Sequence, residues 1–536
     1  MNLKRISAIL ITAIIFAVTW QSFSTTRLGS PFQDHMVLQR DKNVNIWGWD
    51  DPGTDVSVKL NGYSVSAKAD ETGKWSAVLP KMKHGGPYVM EVSGSGTVKL
   101  NDIYIGKVWL CSGQSNMVMT VAKEDRYWCR VYDEEKEVAN AKYPQIRMYT
   151  VEFATSDTPV DTCRGIWEVV SPETVGHLSA AAYFFARDIY NKYKIPVGLI
   201  VSSFGASTIE TWTSEDALKN NERMLPLLDK YYDACKDYDI GHAYGRYKTL
   251  LDKWEAENGV TDSERNVSDN SRSQDVNASA PRTRKPSPPR NPHTDQHSPF
   301  VCWNAMINPL IPYTIRGALW YQGESNGGTA KIYREQMEVL IKDWRYRWEQ
   351  GDFPFYYVQL ANRDNPEDVP AKGGQDALVR EAQLQTLSIR NTGMVVAIDN
   401  ANPENPSDVH PKNKQKIGRR LALIARNKVY GESKLVYSGP VYNSMEIDGN
   451  RIILNFDHAG SGLKFTDGRG EGFAIAGRDG NFVWADAEIK GNTVVVWSNQ
   501  IDNNPTIVNY GFGRNPKTSL YNKEGLPASP FRTNDN

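Results

Sequence analysis

A hydroxyl nucleophile needs a sharp turn to present it, an imidazole to take its proton and donors for the oxygen that turns negative. Ser115 meets the first need. It stands in the compact polar turn Ser112-Gly113-Gln114-Ser115-Asn116, directly after the hydrophobic run Ile103 to Cys111. Gly113 lets the backbone turn tightly, and a helix starting there would leave free N–H groups to face a substrate oxygen. The same turn suits a serine that only caps a helix. Among the eight histidines, His410 is best placed as a base, in Ser407-Asp-Val-His-Pro411 between a predicted strand and a predicted helix. Asp408 lies two residues earlier, so in an extended segment both side chains can face one way. The carboxylate could then hold Nδ1–H and leave Nε2 for Ser115. The plainer alternatives are an Asp408 that caps the next helix and a His410 that is simply exposed.

Such residues need a scaffold, and the pattern around them predicts a parallel sheet. Strand candidates are 103–111, 196–202, 315–321, 355–360 and 393–398; helix candidates are 178–193, 332–348 and 414–425. Strands alternating with helices imply a largely parallel sheet covered on both faces. Before it, residues 25–102 alternate in short runs broken by turns, with Asn61-Gly62 as a hairpin signal, and read as a small β-sandwich. After it, residues 431–536 alternate again between Asp-Gly and Lys-Gly turns and read as a second all-β region. The α/β unit thus spans 103–430. The stretch 257–298 inside it is rich in Ser, Asn, Pro, Arg and Asp and nearly lacks apolar residues, so it is expected as a flexible surface insertion.

At 536 residues the chain exceeds one compact core. Its net charge of −1 gives no electrostatic case for nucleic acid or anionic membrane. Fifteen Trp is a rich supply; indole faces can pack on sugar rings, although aromatic cores account for most such residues. Residues 1–24 read as a signal peptide: Lys4 and Arg5, then the short apolar run Ile6 to Trp20, then Ser22 and Ser24. The mature chain is expected to begin near Thr25 and to work outside the cytoplasm, off the membrane. The five cysteines are an odd count, so at least one stays free or pairs elsewhere, and none has metal-type spacing. Neither metal nor cofactor is expected.

The Gly-x-Ser-x-Gly elbow of α/β-hydrolases is absent, since Met117 replaces its second glycine. Three other blocks are present: Trp109-Leu-Cys-Ser-Gly-Gln-Ser-Asn-Met117, Ala318-Leu-Trp-Tyr-Gln-Gly-Glu-Ser-Asn326 and Asp408-Val-His-Pro-Lys-Asn-Lys414. In that order they resemble the signature blocks of bacterial sialate O-acetylesterases, in the SGNH hydrolase superfamily. Asp34-His-Met-Val-Leu-Gln-Arg40 and Leu520-Tyr-Asn-Lys-Glu-Gly-Leu-Pro-Ala-Ser-Pro530 extend the resemblance over nearly the whole mature chain.

The resemblance implies an SGNH-hydrolase-like three-layer sandwich between the two β regions. It implies a periplasmic or extracellular esterase that removes acetyl groups from sialic acid through an acetyl-enzyme. Ser115 would be nucleophile, His410 base and Asp408 its orienting acid. The oxyanion hole would use the N–H of Ser115 and of Gly205, with Gln322 or Asn326 as side-chain donor. In Ser202-Ser-Phe-Gly-Ala-Ser-Thr-Ile-Glu-Thr-Trp212, Ala206 replaces the family's usual second glycine. Glu324 would hold the site together or touch substrate. Arg380 and Arg316 are candidates to meet the sialic acid carboxylate, and a surface ion pair is the plainer use of each. Two rival readings share much of this: an acetyl esterase for a neutral polysaccharide such as xylan, and an inactive carbohydrate-binding protein.

Overall fold

The computed structural model describes residues 25–258, 285–370, 372–501 and 505–533. The signal peptide read at 1–24, and the middle of the polar stretch 257–298, lie outside the described residues. Strand formation in the N-terminal region follows the alternation: in Asp55–Leu60 and Lys74–Leu79 every second side chain is buried. The Asn61-Gly62 turn joins Asp55–Leu60 to Tyr63–Lys68, with φ positive at both residues as that hairpin demands. Arg27–Leu28, Val44–Trp49 and Lys74–Leu79 make one sheet. Val37–Gln39, Asp55–Leu60, Tyr63–Lys68 and Gly85–Ser93 join the other around a long strand, Thr97–Gly113.

That strand crosses the boundary expected at residue 102. Over 17 residues it pairs first with Gly85–Ser93 and then runs into the middle of the α/β sheet. There the strand order is Gly165–Val170, Tyr143–Val151, Val197–Ser203, Thr97–Gly113, Gly317–Tyr321, Phe355–Val358, Thr392–Val395. Only the first pair is antiparallel. The result is a mixed α/β fold with one large mixed sheet and further all-β sheets.

Alternate residues of the central strands feed two cores. Trp109, Cys111, Leu319 and Tyr321 pack with helices Ala180–Tyr193 and Lys414–Lys428. Val108, Leu110, Ala318 and Trp320 pack on the other face with helix Tyr333–Trp348. Gly418 lets the first two helices lie close, because a Cβ there would stand 2.4 Å from Phe184 Cβ.

The C-terminal β region has two four-stranded sheets and a two-stranded one, packed around Ile452, Leu454, Phe473, Val494 and Val508. Helices Leu225–Lys236 and Ile240–Glu257, for which the sequence reading made no provision, precede the polar stretch. The end of that stretch departs from the expected flexible loop: residues 291–298 form hydrogen-bonded turns, and Thr155 Oγ1 donates to the Thr294 carbonyl. Asn291 and Asp295 supply the acceptors that composition counted only as polarity.

Candidate active site

Gly113 ends the central strand with φ +134°, a backbone region that favours glycine. A Cβ there would stand 2.2 Å from the Tyr321 carbonyl oxygen. The chain then enters a single helical turn, Ser115–Val118, for which Gln114 rather than Ser115 takes the N-cap place. The Ser115 hydroxyl is turned to another partner, His410 Nε2, at 2.8 Å.

His410 arrives on the loop before helix Lys414–Lys428. Asn413 caps that helix by accepting the Lys416 N–H at 3.0 Å, which leaves Asp408 to another task. Its Oδ1 accepts both the backbone N–H of His410 at 2.9 Å and ring Nδ1 at 2.8 Å. Burial pushes the Asp408 carboxyl up, but the bonds from His410 outweigh it and hold the group below its ordinary range. The resulting carboxylate fixes the proton on Nδ1 and leaves Nε2 to receive one from Ser115. Trp128 stacks on the imidazole, with ring centroids 4.4 Å apart and planes at 16°. It lies in a polar loop with no periodicity, and the sequence carries no signal for this contact.

Asn116 ties the two halves together. Its Nδ2 donates to Glu324 Oε1 at 2.5 Å and to the Val409 carbonyl at 2.9 Å. Its Oδ1 accepts from Lys414 Nζ at 2.6 Å. The neighbour of Ser115 therefore holds the neighbour of His410. Asn116 and Lys414 sit inside the sequence blocks quoted above, where no role was assigned to them. Burial raises the Glu324 carboxyl despite the Asn116 bond and nearby cations, and the buried Glu324 Oε2 has no partner among the described residues. Burial also lowers Lys414 to about 7, opposed by Glu324 and Asp408.

The Lys414 shift has a measurable consequence. Unfolded, this lysine keeps its proton to near 10.5; folded, it loses it near 7. Between those values the unfolded chain binds more protons, so stability rises with pH, by up to about 1.4 kcal/mol per unit for one group. Lys42 and Lys107, lowered to about 8 and about 7, act in the same sense. Urea unfolding of wild type and Lys414→Met across this range is expected to show a shallower rise in the variant. Equal slopes would contradict the assignment.

The N–H groups of Ser115 and Gly205 have no acceptor among the described residues. A Cβ built at Gly205 would stand 3.9 Å from Ser115 Cβ, so the two segments are adjacent. The side-chain donors expected from sequence are corrected here. Gln322 is fully buried, with Nε2 donating to the Ser207 carbonyl and to Asn326 Oδ1. Asn326 Nδ2 donates to Glu210 Oε2 and Thr329 Oγ1. Both amides hold the loop together and have no hydrogen left for an oxyanion. Gln114 differs: its Oε1 accepts from the Gly323 and Ser325 N–H groups, and its Nε2 has no acceptor among the described residues.

The basic candidates are also corrected. Arg380 is 0% exposed and its guanidinium donates to the carbonyls of Leu360, Ala361, Gly513 and Arg514. Arg316 precedes strand Gly317–Tyr321, at the end opposite the Tyr321 carbonyl beside Gly113. All five cysteines are free.

The comparisons with known proteins place the chain among the hydrolases of carboxylic esters. The family model described as carbohydrate esterase, sialic acid-specific acetylesterase matches residues 105–236 and 302–427. Sialate O-acetylesterase of Mus musculus is 30% identical over 476 residues, 81% of this chain and 79% of that protein. The Homo sapiens protein of the same name is 29% identical over 473 residues, 81% of this chain and 76% of that one. A crystal structure of a novel carbohydrate acetylesterase from Xanthomonas citri is 33% identical, with a TM-score of 0.76 over 95% of this chain and 100% of that one. The chain belongs to the sialic acid-specific acetylesterase family of carbohydrate esterases.

Proposed function

We propose that this protein hydrolyses O-acetyl esters of sialic acid, with Ser115, His410 and Asp408 as a catalytic triad. The observation that carries the mechanism is the unbroken chain of short hydrogen bonds from Ser115 Oγ through His410 to Asp408. The relatives' names support the substrate. The same residue blocks support assigning the α/β unit to the SGNH hydrolase superfamily.

In the first step Ser115 Oγ bonds to the acetyl carbon while its proton passes to His410 Nε2, and the carbonyl electron pair moves onto oxygen. That oxyanion lies against the N–H groups of Ser115 and Gly205. Gln114 replaces Gln322 and Asn326 as the side-chain donor, since the Gly323 and Ser325 amides fix its Oε1 and leave Nε2 open. Collapse breaks the bond from carbon to the sugar oxygen, which takes the proton from His410. Water then repeats the sequence on the acetyl-enzyme and acetate leaves. Gln114→Ala is expected to lower kcat about a hundred- to a thousandfold with little change in KM. Steady-state rates check this, and a normal kcat would return the role to backbone donors alone.

Acetate release from O-acetylated sialic acid, acetylated xylan and a small chromogenic acetate tests the substrate. Release from the sialic acid sustains the proposal. Release from xylan alone keeps the mechanism and replaces the substrate. That second reading has one observation in its favour: of the expected partners of a sugar carboxylate, Arg380 is committed to backbone carbonyls and Arg316 lies at the far end of its strand. Export also belongs to the proposal, resting on Lys4, Arg5 and the apolar run to Trp20. N-terminal sequencing of exported protein should then begin near Thr25.

A further inference from the structure

Two tryptophans gather where the N-terminal sheet meets the α/β unit, far along the chain from the catalytic blocks. Trp47 and Trp49 lie two apart on strand Val44–Trp49 and so share a face. Across the ladder they oppose Ser76 and Lys74. Trp75 opposes Gly48, so its indole lies on the other face, in the core of the β-sandwich. With Asn308, Ile311 and Pro312 of the α/β unit these residues line a cavity of about 400 Å³. That volume falls in the range of about 300–1,000 Å³ usual for small-molecule sites.

The polar groups around this aromatic floor are only partly used. Asp70 Oδ1 takes the N–H groups of Thr72 and Lys74, while Oδ2 has no donor among the described residues. Asn308 Nδ2 donates to the Val160 carbonyl, and its Oδ1 is likewise open. Lys68 Nζ also has no acceptor among the described residues. Lys74 bridges the rim to Asp161 at 2.8 Å and stands 6.0 Å from the Trp49 ring centre. Open acceptors and an open donor thus stand beside the two indoles; two lysines and two aspartates line the cleft, and Arg27 stands 5.7 Å from the Trp49 ring centre.

A hydroxyl both donates and accepts, and the C–H face of a pyranose packs flat on an indole. A ligand of either charge would meet like charges on a rim of mixed sign, and a neutral one would not. We propose that this cleft is a second carbohydrate site, which binds a neutral hexopyranose unit apart from the acyl site. It does not depend on the reading of the esterase substrate.

Lactose and cellotetraose carry no ester and serve as probes of the full-length protein, by tryptophan fluorescence and calorimetry. Saturable binding is expected for at least one, with a Kd on the order of 1 mM. Trp49→Ala should weaken it tenfold or more, and Trp49→Phe should restore part of it. Hydrolysis of a small chromogenic acetate should be unchanged in both, which also reports that they are folded. If Trp49→Ala fails to fold, Asp70→Asn reads the same loss. No saturable binding of either sugar would overturn the proposal, as would equal affinity in the variants. Binding abolished by covalent blocking of Ser115 would place the sugar in the acyl site and overturn it equally.

Discussion

Ser115→Ala is expected to lower kcat for acetyl ester hydrolysis by about a millionfold, the scale seen when a serine hydrolase loses its nucleophile. The large effect follows from the geometry. Among the described residues the Ser115 hydroxyl is the one that stands 2.8 Å from His410 Nε2, and the N–H groups of Ser115 and of the adjacent Gly205 are uncommitted. The turn's other hydroxyl, Ser112, is fully buried and makes no bond to His410, so it cannot take over the role. Substrate affinity should stay near its wild-type value, since a hydrogen in place of the hydroxyl removes little contact area. Acetate release, with binding of the intact ester followed by calorimetry, separates the two quantities. A variant that turns over normally would sink the triad outright.

His410→Ala should cost about as much, and the double variant with Ser115→Ala little more than either alone, because the two groups act as one unit. The base is held from four sides. Asp408 fixes the tautomer, the Asp408 bond to the His410 backbone fixes the loop, Trp128 fixes the ring plane, and Asn116 holds the Val409 carbonyl. Removing the imidazole leaves Ser115 with no proton acceptor and takes from the buried Asp408 carboxyl the ring donor that offsets its burial. A fall in thermal stability is therefore expected alongside the loss of rate. Calorimetric melting checks the first and steady-state kinetics the second. A rate loss of only a few fold would mean that another group takes the proton, and Glu324, raised by burial and lying near His410, would be first to examine.

Some of this was legible in the chain because local physics fixes it. A glycine forced to positive φ before a serine, an aspartate two residues before a histidine, and an Asn-Gly between alternating runs act over a few residues. Those features located Ser115, Asp408, His410 and the hairpin at residues 61–62. Hydrophobic periodicity likewise located five of the parallel strands, though not Tyr143–Val151, and the helices 180–193, 333–348 and 414–428.

Other features depended on partners distant in sequence. Gln322, Asn326 and Arg380 have the right chemistry for an oxyanion or a carboxylate, and periodicity cannot say which way an amide or guanidinium turns once buried. Tertiary packing turned Gln322 to Ser207 and Asn326, Asn326 to Glu210, and Arg380 to four carbonyls, because buried donors must find acceptors. The strand shared by the β-sandwich and the α/β sheet escaped for a related reason. An uninterrupted 17-residue strand gives no turn signal, so a change of texture at Ile103 was read as a boundary. Which residues can react was written locally in the chain; which of them face the substrate was decided by contacts across hundreds of residues, where each buried polar group takes the partner the fold brings to it.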